Sequence, residues 1–406
     1  MKRILLLTNY FPYNQGENFI EAELDYIPSD INVTIIPTRL HNLESLRKLS
    51  SNRFSVNNIF AKKKYLYYFL AVIKSIFLKE FYEELFEIKK REKISVSVIK
   101  RVIGYFSRSI YTCELLSKEY HKEFKSGNLT IYSYWFLESS LAAAYLNKKF
   151  GCKVYCRAHG VDVWDGASVY GIAPAREFVL KHITELYVCS KAGAKFIADK
   201  YSMYSKKIKH GYLGTIDYGY KVIMEKNPRF KVVSCSRMVP IKRIDLLVDA
   251  LLLLKKYSIE WIHFGDGPEF EKIKSKCNQF DSNISVNLMG NVSHNTVMEY
   301  YKNNHVDLFV NTSSTEGVPV SIMEAISFGI PIIATDVGGT NEIVCSQTGV
   351  LVEKDISANL LAQEIEKVIT MDLRKYSIWR NSAREYWCNN FSAKTNYEEF
   401  YAKITS

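Results

Sequence analysis

The chain has 406 residues, 47% of them hydrophobic and 24% charged, and it carries a formal net charge of +11. This length predicts two or three domains of ordinary globular composition, and the lack of any short fixed repeat excludes a solenoid. Residues 47–125 hold 18 Lys and Arg against 8 Glu and no Asp, so most of the positive excess is local and predicts a basic surface.

The first predicted elements open an α/β unit. A buried strand spans Lys2–Thr8, a loop runs from Asn9 to Gly16, and a helix covers Asn18–Ile27. No G-x-G-x-x-G motif is present, so a dinucleotide-binding fingerprint is not supported. The apolar run Ile4–Leu7 is far too short for the core of a secretion signal. We therefore expect a cytosolic chain whose eight cysteines are reduced.

Residues 61–127 are rich in lysine and aromatic residues and have a helical pattern. The lysines Lys62–Lys64 precede an apolar segment that Lys74 interrupts, and the segment is too short to span a bilayer. Two interpretations remain open here. The segment is either a basic, aromatic helix at an anionic membrane surface or a core helix with a solvated basic flank. Nucleic acid ranks low as a partner because no nucleic-acid-binding motif is present.

The rest of the first half continues the alternation of strands and helices. Strands are predicted at 129–134, 153–158 and 186–190, and a helix at 139–149 connects the first two. His159 follows the second of these strands, and a lone histidine there is usually structural. Cys152, Cys156 and His159 suggest zinc, but no fourth ligand spacing completes a site, so structural thiols are favoured.

The second half begins with a predicted linker at 217–230. A strand follows at Phe230–Ser236, and Arg237 and Lys242 lie between it and an apolar helix at Asp245–Leu254. Two cations between a strand and a helix N-terminus make a reasonable anion site. Paired cations are equally common on solvated loops, so the spacing alone decides neither interpretation.

The most informative stretch begins with a predicted buried strand at Val306–Val310. A loop with Glu316, a helix over 319–328 and a strand at Ile332–Ala334 follow, and together they form the repeating unit of a parallel sheet. Glu316 lies where the strand ends and the helix begins, which is where open α/β sheets bind ligands. The N–H groups of residues 317–320 favour an anion at the same point.

Glu324 lies inside the predicted helix of that stretch. Ser321, Glu324 and Ser327 recur at i, i+3 and i+6, which is the pattern of the polar face of a buried helix. The periodicity alone therefore favours a structural role for Glu324.

Several motifs of this stretch together resemble the signature of the retaining glycosyltransferases of family 4 (glycosyl transferases group 1), which have the GT-B fold. They are Glu316-Gly317-Val318-Pro319, Glu324-Ala325, Gly329 to Ala334 and Gly338-Gly339. The resemblance implies an α/β protein of two Rossmann-like domains facing across a cleft. The acceptor-side domain would span 1–220, with a basic helical insert near 61–127 and a last helix at about 392–406 packing back onto it. The nucleotide-sugar-binding domain would span 221–391.

The resemblance also assigns roles to single residues. It implies that Glu324 binds the ribose hydroxyls and that Glu316 lies by the transferred sugar, whose hydroxyls the following backbone holds. Arg237 and Lys242 would hold the donor diphosphate, and His159 would contact the donor sugar or its leaving phosphate. Gly317, Val318 and Pro319 would contact the donor, and Val292, in a loop at 286–292, would pack on the nucleotide base. Gly16, in the loop after the first strand, and Asp162 would face the acceptor.

The implied reaction is the retaining transfer of a hexose from a UDP- or GDP-linked donor to a saccharide or lipid-linked saccharide. Bacterial capsule, O-antigen and exopolysaccharide biosynthesis are the expected settings, in the cytoplasm or at the inner face of the cell membrane. No Asp-x-Asp occurs in the chain, so we expect no metal and no cofactor, with fixed cations holding the leaving charge. The alternatives are a sugar-nucleotide epimerase or hydrolase, which needs no acceptor, and a non-catalytic membrane-associated scaffold, which binds no nucleotide.

Overall fold

The computed structural model describes residues 3–13, 17–40, 43, 45–62, 64–91, 95–164, 174–220 and 228–405. The chain divides into two units, one of Met1–Tyr212 with Tyr397–Ser406 and one of Leu213–Asn396. Each unit contains one parallel β-sheet with helices. The predicted fold class, two Rossmann-like α/β domains, is confirmed.

The first unit is built around a sheet whose strands all run parallel. Its described strands are β1 (Arg3–Thr8), β2 (Asn32–Pro37), β3 (Phe54–Val56), β4 (Leu129–Ser133), β5 (Lys153–Ala158), β6 (Glu185–Val188) and β7 (Ile208–His210). Their order across the sheet is β3-β2-β1-β4-β5-β6-β7. The chain therefore changes direction across the sheet between β1 and β4, which marks the switch point where such sheets bind ligands.

Helices connect these strands. Those described in the first unit are α1 (Asn18–Leu24), α2 (Tyr65–Ser75), α3 (Lys79–Arg91), α4 (Val96–Glu119), α5 (His121–Lys125), α6 (Glu138–Phe150), α7 (Gly160–Val163), α8 (Arg176–His182) and α9 (Lys191–Lys200). Helices α2 to α5 lie between β3 and β4, where the basic, lysine-rich sequence is found.

The second unit repeats the same plan. Its described strands are β8 (Phe230–Cys235), β9 (Ile259–Phe264), β10 (Ile284–Leu288), β11 (Leu308–Asn311), β12 (Ile332–Thr335) and β13 (Gly349–Val352), in the parallel order β10-β9-β8-β11-β12-β13. Its described helices are α10 (Ile244–Leu252), α11 (Phe270–Cys277), α12 (His294–Asn303), α13 (Val320–Ser327), α14 (Ala358–Ile369) and α15 (Leu373–Asn390). The switch point here lies between β8 and β11, so the loops after these two strands meet.

The last helix, α16 (Ala393–Thr405), carries residues of the first unit. The hydroxyl of Tyr401 donates to Glu23 Oε1 at 3.0 Å, and that of Tyr132 donates to the same oxygen at 2.9 Å. Arg157 Nη2 lies 3.5 Å from this carboxylate, and both charged side chains are buried. A buried ion pair is tolerated only with such additional hydrogen bonds, so this network specifies where α16 packs in the first unit.

Most of the predicted strands occur within one or two residues of the observed bounds, because buried parallel strands are continuous apolar runs. β11 and β12, for example, are buried along their whole length. Strands β3, β10 and β13 were not predicted. Residues 286–288, predicted as part of a loop that contacts the base, belong to β10. None of the described helices is both long and apolar enough to cross a membrane.

Candidate functional site

The candidate site of the second unit lies at its switch point, where the loops after β8 and β11 meet. The loop after β8 contains Arg237 and ends in a short 3-10 turn, Pro240–Lys242. Ser314 N–H donates to the carbonyl of Ile241 at 2.8 Å, which joins this turn to the loop after β11. Residues far apart in the sequence are thereby brought within contact distance.

The side chains of Lys242 and Glu316 form an ion pair at this junction. Lys242 Nζ lies 2.6 Å from Glu316 Oε1, and the same oxygen accepts from Ser313 Oγ at 2.6 Å and from Asn311 Nδ2 at 3.3 Å. Both charged side chains are mostly buried, 20% and 11% exposed. The carboxylate is therefore held in one position by three donors. An ammonium has three N–H donors, so Lys242 can contact a second anion without leaving Glu316.

Arg237 differs from Lys242 in its surroundings. Its side chain is exposed and forms no hydrogen bond or ion pair with any residue that the structure describes. A guanidinium of this kind is available to an external phosphate, and it can bind one through two parallel hydrogen bonds.

Arg243, which no sequence pattern singled out, holds the two loops together. Its Nε donates to the carbonyl of Thr312 at 2.7 Å, and Thr312 Oγ1 donates to the carbonyls of Lys242 and Arg243 at 2.9 Å each. Arg243 has φ +48°, which is uncommon for a residue with a side chain. No sequence signal reports such a conformation, so this residue could not have been found from the pattern.

The paired glycines 338 and 339 let a third loop pack directly on the backbone of Glu316. A Cβ at Gly338, whose φ is +56°, would lie 1.9 Å from the carbonyl oxygen of Glu316. Gly339 N–H donates to the carbonyl of Gly317 at 2.7 Å. This close approach of two backbone segments requires glycine at these positions. The contacts help to fix the segment that carries Glu316.

The segment after Glu316 requires one correction. Pro319 was predicted in the first turn of the helix, but α13 begins at Val320 and Pro319 has extended backbone angles before it. Proline has no N–H, so Pro319 cannot donate to a ligand as the neighbouring residues can. The amides of Gly317 and Val318 donate no hydrogen bond to any described residue. They are the candidate donors of this segment.

Glu324 lies on α13, and its carboxylate Oε1 is 2.7 Å from His294 Nε2 on α12. The Glu324 side chain is 12% exposed. Of the predicted polar face, Ser321 and Glu324 are half-buried, whereas Ser327 is buried and its Oγ donates to the carbonyl of Glu324 at 2.6 Å. His294, a residue that the sequence pattern did not reveal, is thus the partner to consider in any role of Glu324.

Val292 is half-buried in the loop after β10, at the same end of the sheet as Arg237. Gly265 N–H donates to the carbonyl of Gly290 at 2.9 Å, and Met289 N–H donates to that of His263 at 2.9 Å. These bonds tie the loops after β9 and β10 to each other. The base-contacting loop predicted at 286–292 is therefore shortened to the residues after β10.

In the first unit, His159 follows β5 and is enclosed by aromatic rings. The centroids of Trp135, Tyr134 and Phe19 lie 4.5, 5.1 and 5.7 Å from that of His159. Burial, reinforced by the charge of Arg157, lowers the pKa of His159 to about 3. The imidazole is therefore neutral at physiological pH. Neither ring nitrogen has a hydrogen-bond partner among the described residues.

Asp162, predicted to face the acceptor, is fully buried. Its carboxylate accepts from the backbone N–H of Phe136 at 2.8 Å and also from that of His159. Burial raises the pKa of Asp162 to about 7, although these hydrogen bonds act in the opposite direction. The prediction is corrected accordingly, because Asp162 fixes the turn that carries His159.

Glu17 organises the loop after β1 in a way that the sequence did not reveal. Its carboxylate accepts from the backbone N–H of Asn9, Tyr10 and Phe11 at 3.0, 2.8 and 2.7 Å. It also accepts from Trp135 Nε1 at 2.5 Å. No local pattern singles out Glu17, since its long-range partner Trp135 is visible only in the fold. Gly16, assigned to the acceptor loop, lies outside the described residues.

The thiols near His159 are buried. Cys152 and Cys156 are free cysteines whose pKa values burial raises, that of Cys152 to about 12. Within the described residues, no group of three or more His, Cys, Asp or Glu is arranged to hold a metal ion.

Comparison with known proteins identifies the second half of the chain. Residues 221–386 match the family described as "Glycosyl transferases group 1". The second unit is a glycosyl transferases group 1 domain. This family match lies wholly within the unit that contains the Lys242–Glu316 pair.

Curated relatives of this group 1 domain are similar over a limited length. The chain is 31% identical over 128 residues to the O-antigen biosynthesis glycosyltransferase WbnH of Escherichia coli, covering 32% of this chain and 35% of that protein. It is 30% identical over 146 residues to GtfA of Streptococcus parasanguinis, part of a UDP-N-acetylglucosamine–peptide N-acetylglucosaminyltransferase, covering 35% and 28%. It is 26% identical over 281 residues to CapJ of Staphylococcus aureus, covering 66% and 61%. The chain thus spans about a third of the length of the first relatives it matches.

Solved structures show the same fold over the whole chain. Anabaena HepE in complex with UDP and glucose superimposes with a TM-score of 0.64 at 15% identity, covering 100% of both chains. A variant of S. aureus TarM in a complex that contains UDP gives a TM-score of 0.66 at 16% identity, also over 100% of both. These likenesses establish the GT-B fold for this chain.

Proposed function

We propose that the protein is a retaining, metal-independent glycosyltransferase of family 4, of the hexosyltransferase type. The observation that carries the proposal is the carboxylate of Glu316, held by Lys242, Ser313 and Asn311 at the switch point of a group 1 domain. Ligands of open α/β sheets bind at this position.

The chemistry requires stabilisation of a leaving diphosphate while an oxocarbenium-like sugar forms. Arg237 is exposed and forms no ion pair with described residues, and Lys242 has N–H donors beyond the one on Glu316. The free amides of Gly317 and Val318 lie beside Glu316. A preorganised donor of this kind typically contributes about 3–4 kcal/mol to the transition state, so two cations supply much of the required charge without a metal or cofactor.

The donor in this proposal is a UDP- or GDP-linked sugar. Glu324 would accept hydrogen bonds from the ribose hydroxyls, and Val292 would contact the base from the loop after β10. The neutral His159 of the first unit, with two ring nitrogens free of described partners, would bind a sugar hydroxyl or the leaving phosphate. Because the imidazole is neutral, it is better suited to a hydrogen bond with a sugar hydroxyl than to an ion pair with the leaving phosphate.

The acceptor is proposed to be a saccharide or lipid-linked saccharide of a bacterial surface polysaccharide. Support comes from the names of two relatives, an O-antigen glycosyltransferase and CapJ, and from the basic region 47–125. The protein would act in the cytoplasm, peripherally attached to the inner face of the cell membrane. No nucleic-acid partner is proposed.

A thermal-shift panel of UDP-, GDP-, ADP- and CMP-sugars tests the proposal. One class of sugar nucleotide should raise the melting temperature, and product NMR should then show retained anomeric configuration on an acceptor. Turnover without any acceptor would favour the epimerase or hydrolase. Binding of no sugar nucleotide would favour the scaffold, and inversion would exclude a retaining mechanism.

A further inference from the structure

Helix α2 of the first unit has an apolar stripe that faces solvent. Leu66, Phe69, Leu70 and Ile73 follow the i, i+3, i+4, i+7 spacing that places side chains on one face of a helix. Their exposed fractions are 68, 61, 40 and 38%, and Phe77, just beyond the helix, is 77% exposed. A surface helix ordinarily turns such a stripe towards the core. The orientation of α2 is the reverse.

The opposite face of α2 is fixed against α4. Ala71 and Ser75 are fully buried there, and Ser75 Oγ lies 3.2 Å from Ser107 Oγ. Lys118 Nζ donates to the hydroxyl of Tyr67 at 3.1 Å. Small and polar residues thus make these contacts within the protein, while the large apolar residues of the stripe make none of them. The segment does pack against the core, as the core-helix interpretation expects, but through Ala71 and Ser75 and not through the apolar stripe.

The charged residues of the segment that carries the stripe are all lysines, although Lys74 is paired with Glu114 of α4. Residues 61–79 contain five lysines and no acidic residue. Lys62 and Lys64 are exposed before the helix, and Lys79, exposed beyond it, pairs with Glu83 at 2.8 Å. Exposed apolar side chains beside lysines complement a surface that offers hydrocarbon and negative charge together. A second copy of this chain would bring like charges together, which opposes a homodimer through this face.

We propose that the stripe Leu66, Phe69, Leu70, Ile73 and Phe77 is the surface that docks on a bilayer containing anionic lipids. The apolar side chains would enter the boundary between headgroups and acyl chains, and the lysines would contact the headgroups. The inference rests on the peripheral location proposed above, and it names the surface and the lipid chemistry that produce it. It does not depend on the transfer reaction.

Co-sedimentation of the full-length protein with vesicles tests this surface. The wild type should bind vesicles of phosphatidylcholine with about one third phosphatidylglycerol more tightly than phosphatidylcholine alone. The triple variant Leu66→Gln, Phe69→Gln, Ile73→Gln should bind the anionic vesicles at least about tenfold more weakly, because three apolar side chains no longer enter the bilayer. The pair Lys62→Glu and Lys64→Glu should lose the preference for anionic vesicles and most of the salt dependence.

Matched controls come from apolar side chains exposed elsewhere. Met203→Gln, Leu373→Gln and Ile378→Gln alter residues that are 84, 57 and 66% exposed, and this triple variant should bind like the wild type. Circular dichroism and the thermal-shift response to sugar nucleotide show whether each variant is folded. If the triple variant of the stripe is unstable, the single variant Phe69→Gln replaces it in the vesicle experiment. The inference would be overturned if the wild type did not bind anionic vesicles, or if the stripe variant bound them as tightly as the wild type does. So would light scattering that shows a dimer lost in the stripe variant without vesicle binding.

Discussion

The ammonium of Lys242 lies 2.6 Å from the carboxylate of Glu316, although 74 positions separate them in the chain. The contact joins the loops that follow β8 and β11. These are the two central strands of the sheet, and the order in which the chain adds strands reverses between them. Each charge is mostly buried, so each depends on the other for its orientation. This pair is the basis of the first prediction.

Lys242→Ala should lower turnover by about a hundredfold or more, because the leaving diphosphate loses a preorganised cation and Glu316 loses one of its three donors. Arg237→Ala should have a comparable effect on turnover and little effect on stability, since Arg237 is exposed. Steady-state kinetics measure both. Lys255→Ala is the control, a lysine 76% exposed on the same unit, and near-normal turnover in both site variants would exclude the proposed mechanism.

Gly338→Ala should destabilise the second unit and reduce turnover, because its Cβ would lie 1.9 Å from the carbonyl oxygen of Glu316. Gly290→Ala provides a matched control: its φ is +65°, close to the +56° of Gly338, but a Cβ there meets nothing within 4 Å. Left-handed strain alone costs roughly 1–2 kcal/mol. Denaturant unfolding should show a larger loss for Gly338→Ala, and equal losses in the two variants would contradict the close approach.

Glu324→Ala should weaken sugar-nucleotide binding by roughly tenfold to a hundredfold, the effect of losing charge-assisted hydrogen bonds to ribose hydroxyls. Isothermal titration calorimetry gives the dissociation constant. If Glu324 only lines the polar face of α13, melting temperature should fall while affinity stays the same. Glu299→Ala is a suitable control, since Glu299 is 56% exposed on α12.

The pKa of His159, lowered to about 3 by burial, predicts a pH dependence of stability. Between pH 6.5 and 3 the unfolded chain binds a proton at this residue that the folded chain does not, so stability falls as the pH falls through this window. The contribution is about 1.4 kcal/mol per pH unit. His159→Asn should remove it.

This pH prediction is checked by comparing unfolding free energies of the wild type and His159→Asn at pH 6.5 and below. Asp162, with its pKa raised to about 7, acts in the opposite direction: the folded state binds the extra proton, so stability rises as the pH falls. Because His159 Nδ1 lies 4.0 Å from Asp162 Oδ2, the comparison is repeated in an Asp162→Asn background, which lacks this opposing contribution. Identical pH profiles would show that His159 is not buried as a neutral group.

The local pattern of the sequence was sufficient for most strands, for the α/β class and for the motif around Glu316. Buried parallel strands are apolar runs, and the glycines of the motif, such as Gly338 and Gly339, lie shortly after a strand. Both features can be recognised in the sequence without the fold. Glu316 could be placed at a ligand-binding position because strand ends and helix starts are local features, whereas the role of Arg237 followed from the resemblance to family 4.

Only the tertiary structure decided which of these features meet. Lys242 with Glu316, Gly338 with the backbone of Glu316, and Glu17 with Trp135 are contacts set by strand order, which local periodicity does not encode. The orientation of α2 shows the same limit, since the spacing of Leu66, Phe69 and Ile73 is identical whether the stripe faces the core or solvent. Packing of Ala71 and Ser75 against α4 selects the outward orientation, because small residues permit close helix contact and leave the larger side chains exposed.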